Sequence, residues 1–132
     1  MRALLDTNAY SLLMRGHDQV AEIVRGAEEL LFSVVVVGEL LYGFRHGTRF
    51  ERNATDLRAV LNNPYSTLVE VTSVTADRYS LIAASLRTKG RPLPTNDVWI
   101  AAHAMETGAD LVSADGHFEH IDGIAWTALS VA

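Results

Sequence analysis

The feature that most restricts how this chain can fold is a rhythm of short apolar runs, each stopping at a capping residue and passing into a helix-forming stretch. Ala3-Leu4-Leu5 stops at Asp6-Thr7-Asn8, and the apolar spacing through Leu12 and Leu13 predicts a helix directly afterwards. A short helix over Gln19 to Arg25 follows. Leu30 to Val35 is continuous and rich in β-branched residues, which reads as a strand buried on both faces. Val37 to Tyr42 and Arg49 to Asn62 read as helices, the second ended by Asn63-Pro64.

Thr67 to Val71 reads as a third strand. Thr75 is placed to cap a helix running to Thr88, broken by Gly90 through Pro94. Thr95 or Asn96 caps a helix over Asp97 to Thr107, closed by Gly108. Leu111-Val112-Ser113 and Ile124 to Leu129 complete the strands. This alternation predicts an α/β fold with a mostly parallel central sheet of about four to five strands flanked by helices. Its crossovers should be right-handed.

The chain has 132 residues, 48% of them hydrophobic, which suits one domain over 1–132 with its own core. Its longest apolar run, Leu30 to Val37, is interrupted by Ser33 and falls short of a membrane span. Asp6 interrupts the N-terminal segment where a signal peptide would stay apolar. The absence of cysteine excludes thiol chemistry and thiolate metal sites. A cytoplasmic location without membrane contact is the expectation. The net charge of −5 argues against a general nucleic-acid coat protein. A nuclease stays compatible with it, because acids gathered around a cation are partly neutralised. Lys89 is the single lysine, and the other cations are arginines, whose planar fork suits phosphate or carboxylate.

The placement of the acids is the informative pattern. Asp6 follows the first strand and Asp115 the fourth, and strand C-termini in a parallel sheet share the edge where ligands bind. Asp97 falls in the first turn of its helix, and Glu39 early in the helix leaving the second strand. Four acids from four segments thus converge on one crevice. A divalent cation would relieve their repulsion, since Mg²⁺ prefers oxygen ligands and retains waters suited to hydrolysis. Thr7, Asn8, Asn96 and Ser113 are placed to orient ligands or waters. Each acid also has a plain reading. Asp6 can be an N-cap, Asp97 a partner of its helix dipole, Asp115 a turn residue before Gly116, and Glu39 a surface position.

The residues also resemble a known family. Leu4-Leu5-Asp6-Thr7-Asn8 is similar to the opening motif of PIN-domain ribonucleases, and Val36-Val37-Gly38-Glu39-Leu40-Leu41-Tyr42-Gly43 to their second acidic segment. Leu93 to Ala102, containing Thr95-Asn96-Asp97-Val98-Trp99-Ile100, resembles the third, and Leu111-Val112-Ser113-Ala114-Asp115 the fourth. Gly116 to Ile121 and Gly123-Ile124 resemble the family's tail. The wording is most like the VapC-type toxins of toxin–antitoxin pairs. That resemblance implies a PIN-like fold and a Mg²⁺-dependent endoribonuclease, with Mn²⁺ as substitute. It implies catalytic roles for Asp6, Glu39, Asp97 and Asp115, with Asp6, Asp97 and Asp115 holding metal. Ser113 stands where the family often has Thr. It further implies an RNA substrate, homodimers, and neutralisation by an antitoxin whose arginine competes with metal for the carboxylates.

Other residues carry weaker signals. Arg45, His46, Arg49 and Arg52, and separately Arg87, Lys89 and Arg91, could line an RNA path or form solvated faces. Trp99 reads as core or dimer contact before base stacking. His117 and His120, three residues apart, could chelate a metal on a helix but lack a His-Glu-x-x-His context. A dehalogenase-type phosphatase would need an Asp at position 8, which is Asn, and no nucleotide-binding glycine loop is present. A non-catalytic PIN-like module that binds RNA or antitoxin is the remaining alternative, and the complete set of acids counts against it.

Overall fold

A computed structural model describes residues 1–130. The elements run β1 (Arg2–Leu5), α1 (Thr7–Met14), α2 (Asp18–Gly26), β2 (Glu29–Ser33), α3 (Val34–His46), α4 (Phe50–Leu61) and β3 (Ser66–Val69). They continue with α5 (Ser73–Lys89), α6 (Thr95–Thr107), β4 (Asp110–Ser113), a 3₁₀ turn (Gly116–His120) and β5 (Ala125–Ala128). The strands form one sheet in the order β3-β2-β1-β4-β5. Every pairing is parallel, with Leu4 opposite Leu31 on one side and Leu111 on the other.

This order decides where a ligand can bind. The chain builds outward from β1 through β2 to β3, then returns to place β4 and β5 on the other flank. The direction therefore reverses between β1 and β4, and a crevice opens beyond their C-terminal ends. Asp6 and Asp115 lie just past those ends.

The sheet centre is apolar on both faces because helices cover both. Leu4, Leu5, Phe32, Leu111 and Val112 are fully shielded and belong to one contiguous cluster. Truncating such a residue, for example Leu111→Ala, costs about 2–5 kcal/mol. Helix α6 buries Val98, Ile100 and the alanines 101, 102 and 104. Those small side chains let its backbone approach the sheet, and α5 packs along it. Gly90 and Gly108 end α5 and α6 in the left-handed conformation, at φ 69° and 71°.

Several boundaries differ from the sequence reading. The second strand stops at Ser33, and Val34 to Val37 begin α3. Ser33 is the reason, since its hydroxyl accepts the Val35 N–H at 3.1 Å and caps the helix. The cap overrides the β preference of four consecutive valines. Thr72 rather than Thr75 caps α5, and the Thr75 hydroxyl reaches back to accept the Thr72 N–H at 3.0 Å. Pro94 occupies the cap of α6, so Thr95 and Asn96 are already helical. Strand β3 starts at Ser66 and ends at Val69 instead of running from Thr67 to Val71, and Ala125–Ala128 is one residue shorter at each end than expected.

Candidate active site

Asp6 caps α1 and faces the crevice at once. Its Oδ1 accepts the Ala9 N–H at 2.8 Å, and its Oδ2 accepts the Ser113 hydroxyl at 2.5 Å. The capping reading of Asp6 is therefore correct without being sufficient, because a carboxylate keeps further lone pairs. Ser113, fully buried, also accepts the Asp115 N–H at 2.9 Å. One hydroxyl thus fixes both acid-bearing strand ends across the point where the sheet reverses.

Glu39 sits in the second turn of α3. Its Oε1 accepts the Thr7 hydroxyl at 2.6 Å and its Oε2 accepts Asn96 Nδ2 at 3.3 Å. These bonds tie α3 to the first turns of α1 and α6. Asp97, next to Asn96, is partly exposed in the first turn of α6.

Electrostatics show that the four acids share one environment. Burial raises the Asp6 carboxyl above its usual range, the Ser113 and Ala9 hydrogen bonds oppose that, and the charges of Asp115 and Glu39 add to it. Asp97 is pushed up to about 6, first by desolvation and then by Asp115, Glu39 and Asp6. His117 pulls Asp97 the other way. Among the described residues no Lys or Arg is ion-paired to any of the four acids. Nor do three His, Asp or Glu side chains among them close into a ready metal cage. The carboxylates feel one another's charge across the crevice.

The neighbouring residues divide. His117 Nδ1 lies 2.8 Å from Asp115 Oδ1, whereas His120 turns to Glu119 at 3.6 Å. The two histidines therefore do not converge as a chelating pair. Lys89 donates to the His120 carbonyl and to Asp122, an anchoring role that removes it from a free basic face. Arg45 lies over the Phe50 ring at 4.1 Å. Arg49 and Arg52 line a recess of about 610 Å³ together with Asn8 and Arg15. Trp99 stacks on Tyr79 at 4.2 Å, in agreement with its packing reading.

His103 escaped the sequence reading. It is fully buried on α6, with Nδ1 2.8 Å from the Ser33 hydroxyl and Nε2 3.1 Å from the Glu70 carbonyl. A carbonyl only accepts, so Nε2 carries the proton and Nδ1 receives the Ser33 O–H. This ring links the Asp97 helix to the cap of the Glu39 helix. A histidine inside the apolar run Ile100 to Met105 was the available signal.

Comparison with known proteins resolves the family. Residues 3–124 match the family model described as PIN domain. The chain belongs to the PIN-domain family. A relative of this PIN domain, Ribonuclease VapC2 of Haemophilus influenzae, is 30% identical over 115 residues, 86% of each chain. The solved structure of VapBC-1 from nontypeable Haemophilus influenzae superposes with a TM-score of 0.85 at 26% identity, covering 97% of this chain and 98% of that one. VapBC2 from Rickettsia felis, solved bound to a promoter DNA fragment, gives 0.86 at 23% identity over 98% and 100% of the two chains, a likeness of fold. This PIN domain is therefore of the VapC type, as its motifs suggested.

Proposed function

We propose that this PIN domain is a divalent-metal-dependent endoribonuclease, acting as the toxin of a toxin–antitoxin pair. The observation that carries the reading is the set Asp6, Glu39, Asp97 and Asp115. These acids come from four separate segments near the reversal point of the sheet, feel one another's charge, and among the described residues have no Lys or Arg ion-pair partner. The 30% identical relative named as a ribonuclease supports the same activity. The chain 1–132 is read as one such domain, working in the cytoplasm as a homodimer. No helix among the described residues is long and apolar enough to cross a membrane. The VapBC-1 structure supports a cognate antitoxin as partner.

The donor set fits a hard cation, because every acid offers carboxylate oxygen and because burial and the neighbouring acids together raise the Asp6 and Asp97 carboxyls, a cost that a bound cation would offset. Asp6, Asp97 and Asp115 would hold Mg²⁺, with Mn²⁺ as substitute. Once bound, the ion supplies charge neutralisation at the phosphodiester and lowers the pKa of water. The chain does the positioning. Ser113 holds Asp6 and Asp115 in fixed relation, and Thr7 and Asn96 hold both oxygens of Glu39. In this reading Glu39, held by those two bonds, would orient the attacking water and receive its proton. The test is cleavage of total cellular RNA by purified protein in EDTA, in Mg²⁺ and in Mn²⁺. Cleavage confined to the metal-containing samples is expected. Equal cleavage in EDTA contradicts the metal reading.

A further inference from the structure

Helix α3 presents one stripe to solvent beside the acids. Val35, Gly38, Glu39 and Tyr42 recur at helical spacing and, with Thr7 and Asn96, line a recess of about 520 Å³. Tyr42 is 67% exposed, one turn beyond Glu39. Its ring meets His46 edge to face at 4.5 Å and 83°, the one aromatic contact it makes among the described residues. Perpendicular packing steadies a ring and leaves ring surface open. The floor beside it is also open, since a side chain placed on Gly38 would meet nothing within 4 Å.

Resting on the ribonuclease reading above, we propose that Tyr42, steadied by His46, stacks an unpaired base of the RNA next to the phosphate that is cut. A π-face within one helical turn of a candidate catalytic acid is suited to a splayed nucleobase, and unstacked bases are what aromatic platforms select in RNA. The core of a protein-docking surface is depleted of carboxylates and rich in apolar and aromatic area. This stripe offers only the half-buried Val35 beside glycine, a carboxylate and two polar aromatics. A second recess, lined by Asn8 and by Arg15, Arg49 and Arg52 with Asp56 among them, carries a net positive charge suited to flanking phosphates. Tyr42 is a recognition residue and takes no part in the bond chemistry.

The probe is a fluorescein-labelled single-stranded oligoadenylate, compared with an abasic ribose-phosphate strand of equal length. Binding is read by anisotropy in Mg²⁺ on Asp97→Asn protein, so that the strand stays intact. Adding Tyr42→Ala should weaken oligoadenylate binding roughly tenfold, the scale of one lost base stack, and leave the abasic strand unaffected. Tyr42→Trp should restore binding. Equal weakening on both strands, or none on either, overturns the inference. Loss of dimer or antitoxin association with RNA binding intact also overturns it and assigns the stripe to a protein contact. Cleavage by the otherwise wild-type chain separates the two levels. If it cuts no RNA, both readings fail; if it cuts RNA and Tyr42→Ala has an unchanged KM, only the stacking inference fails.

Discussion

Ser113 Oγ and Asp6 Oδ2 are 2.5 Å apart although 107 positions separate the residues. The bond spans β1 and β4, neighbours whose hydrogen bonding continues past the strand end through the Asp6 N–H to the Val112 carbonyl at 3.2 Å. Because the same hydroxyl receives the Asp115 N–H, Ser113 sets the spacing of two acids that no local segment could set. Ser113→Ala removes both contacts in a fully buried place. A stability loss of about 1–3 kcal/mol is expected in denaturant titration, together with reduced cleavage. Ser113→Thr keeps the hydroxyl and should retain most activity.

Asp97 gives a pH dependence whose sign is fixed. Its carboxyl is raised from 3.8 to about 6 in the folded chain, so between those values the native state holds a proton that the unfolded state has lost. Its contribution is present below pH 3.8 and is lost as pH rises through about 6. Asp97→Asn should therefore raise the metal-free melting temperature at pH 7.5. A gain of about 2–8 °C corresponds to about 1 kcal/mol. The gain should shrink toward pH 4, as calorimetry in EDTA across that range would show.

His103 acts in the opposite direction. Burial lowers its pKa below 6.5, ahead of the opposing Glu70 hydrogen bond and the Glu106 charge. Its stabilisation is complete above pH 6.5 and declines as pH falls toward the lowered value, because only the unfolded ring takes up the proton readily. His103→Phe should remove that decline. It should also destabilise the protein at neutral pH by about 1–3 kcal/mol, since the Ser33 hydroxyl and the Glu70 carbonyl lose their partner. Urea titrations at several pH values check both parts.

Metal binding should be visible in stability before any substrate is known. A cation that binds only the folded chain stabilises it by mass action, by about 2.7 kcal/mol at one hundred times its Kd, and so raises the melting temperature. Millimolar Mg²⁺ or Mn²⁺ should shift the wild-type midpoint upward relative to EDTA and largely spare Asp97→Asn. Equal shifts in both proteins would place the ion elsewhere.

Much of this was legible in the chain because local signals and topology agree. Leu4-Leu5 before Asp6 and Val112-Ser113 before Asp115 announce strands that end at acids, and parallel pairing then brings those acids to one edge. The sequence was less readable where two local preferences compete. Val34 to Val37 favour a strand by side-chain shape and form a helix because Ser33 caps it. The sequence reading named Thr7, Asn8, Asn96 and Ser113 as orienting groups. Of these, Thr7, Asn96 and Ser113 hydrogen-bond to Glu39 or Asp6, whereas Asn8 lines the recess of Arg15, Arg49 and Arg52 instead. The reading did not find His103, whose partners Ser33 and Glu70 are 70 and 33 residues away and are joined to it only by folding. The separate destinations of His117 and His120 also depend on tight 3₁₀ geometry that residue spacing does not reveal.

The central claim is that the acidic crevice cuts RNA, and Asp97→Asn tests it most directly. Both proteins would be purified free of antitoxin, shown to be folded by circular dichroism, and compared for RNA cleavage in Mg²⁺ at one enzyme concentration. Folded Asp97→Asn protein with cleavage reduced by at least about a hundredfold is the predicted result, the scale set by losing one electrostatic element of a catalytic site. Wild-type cleavage rates in the folded variant would contradict the account.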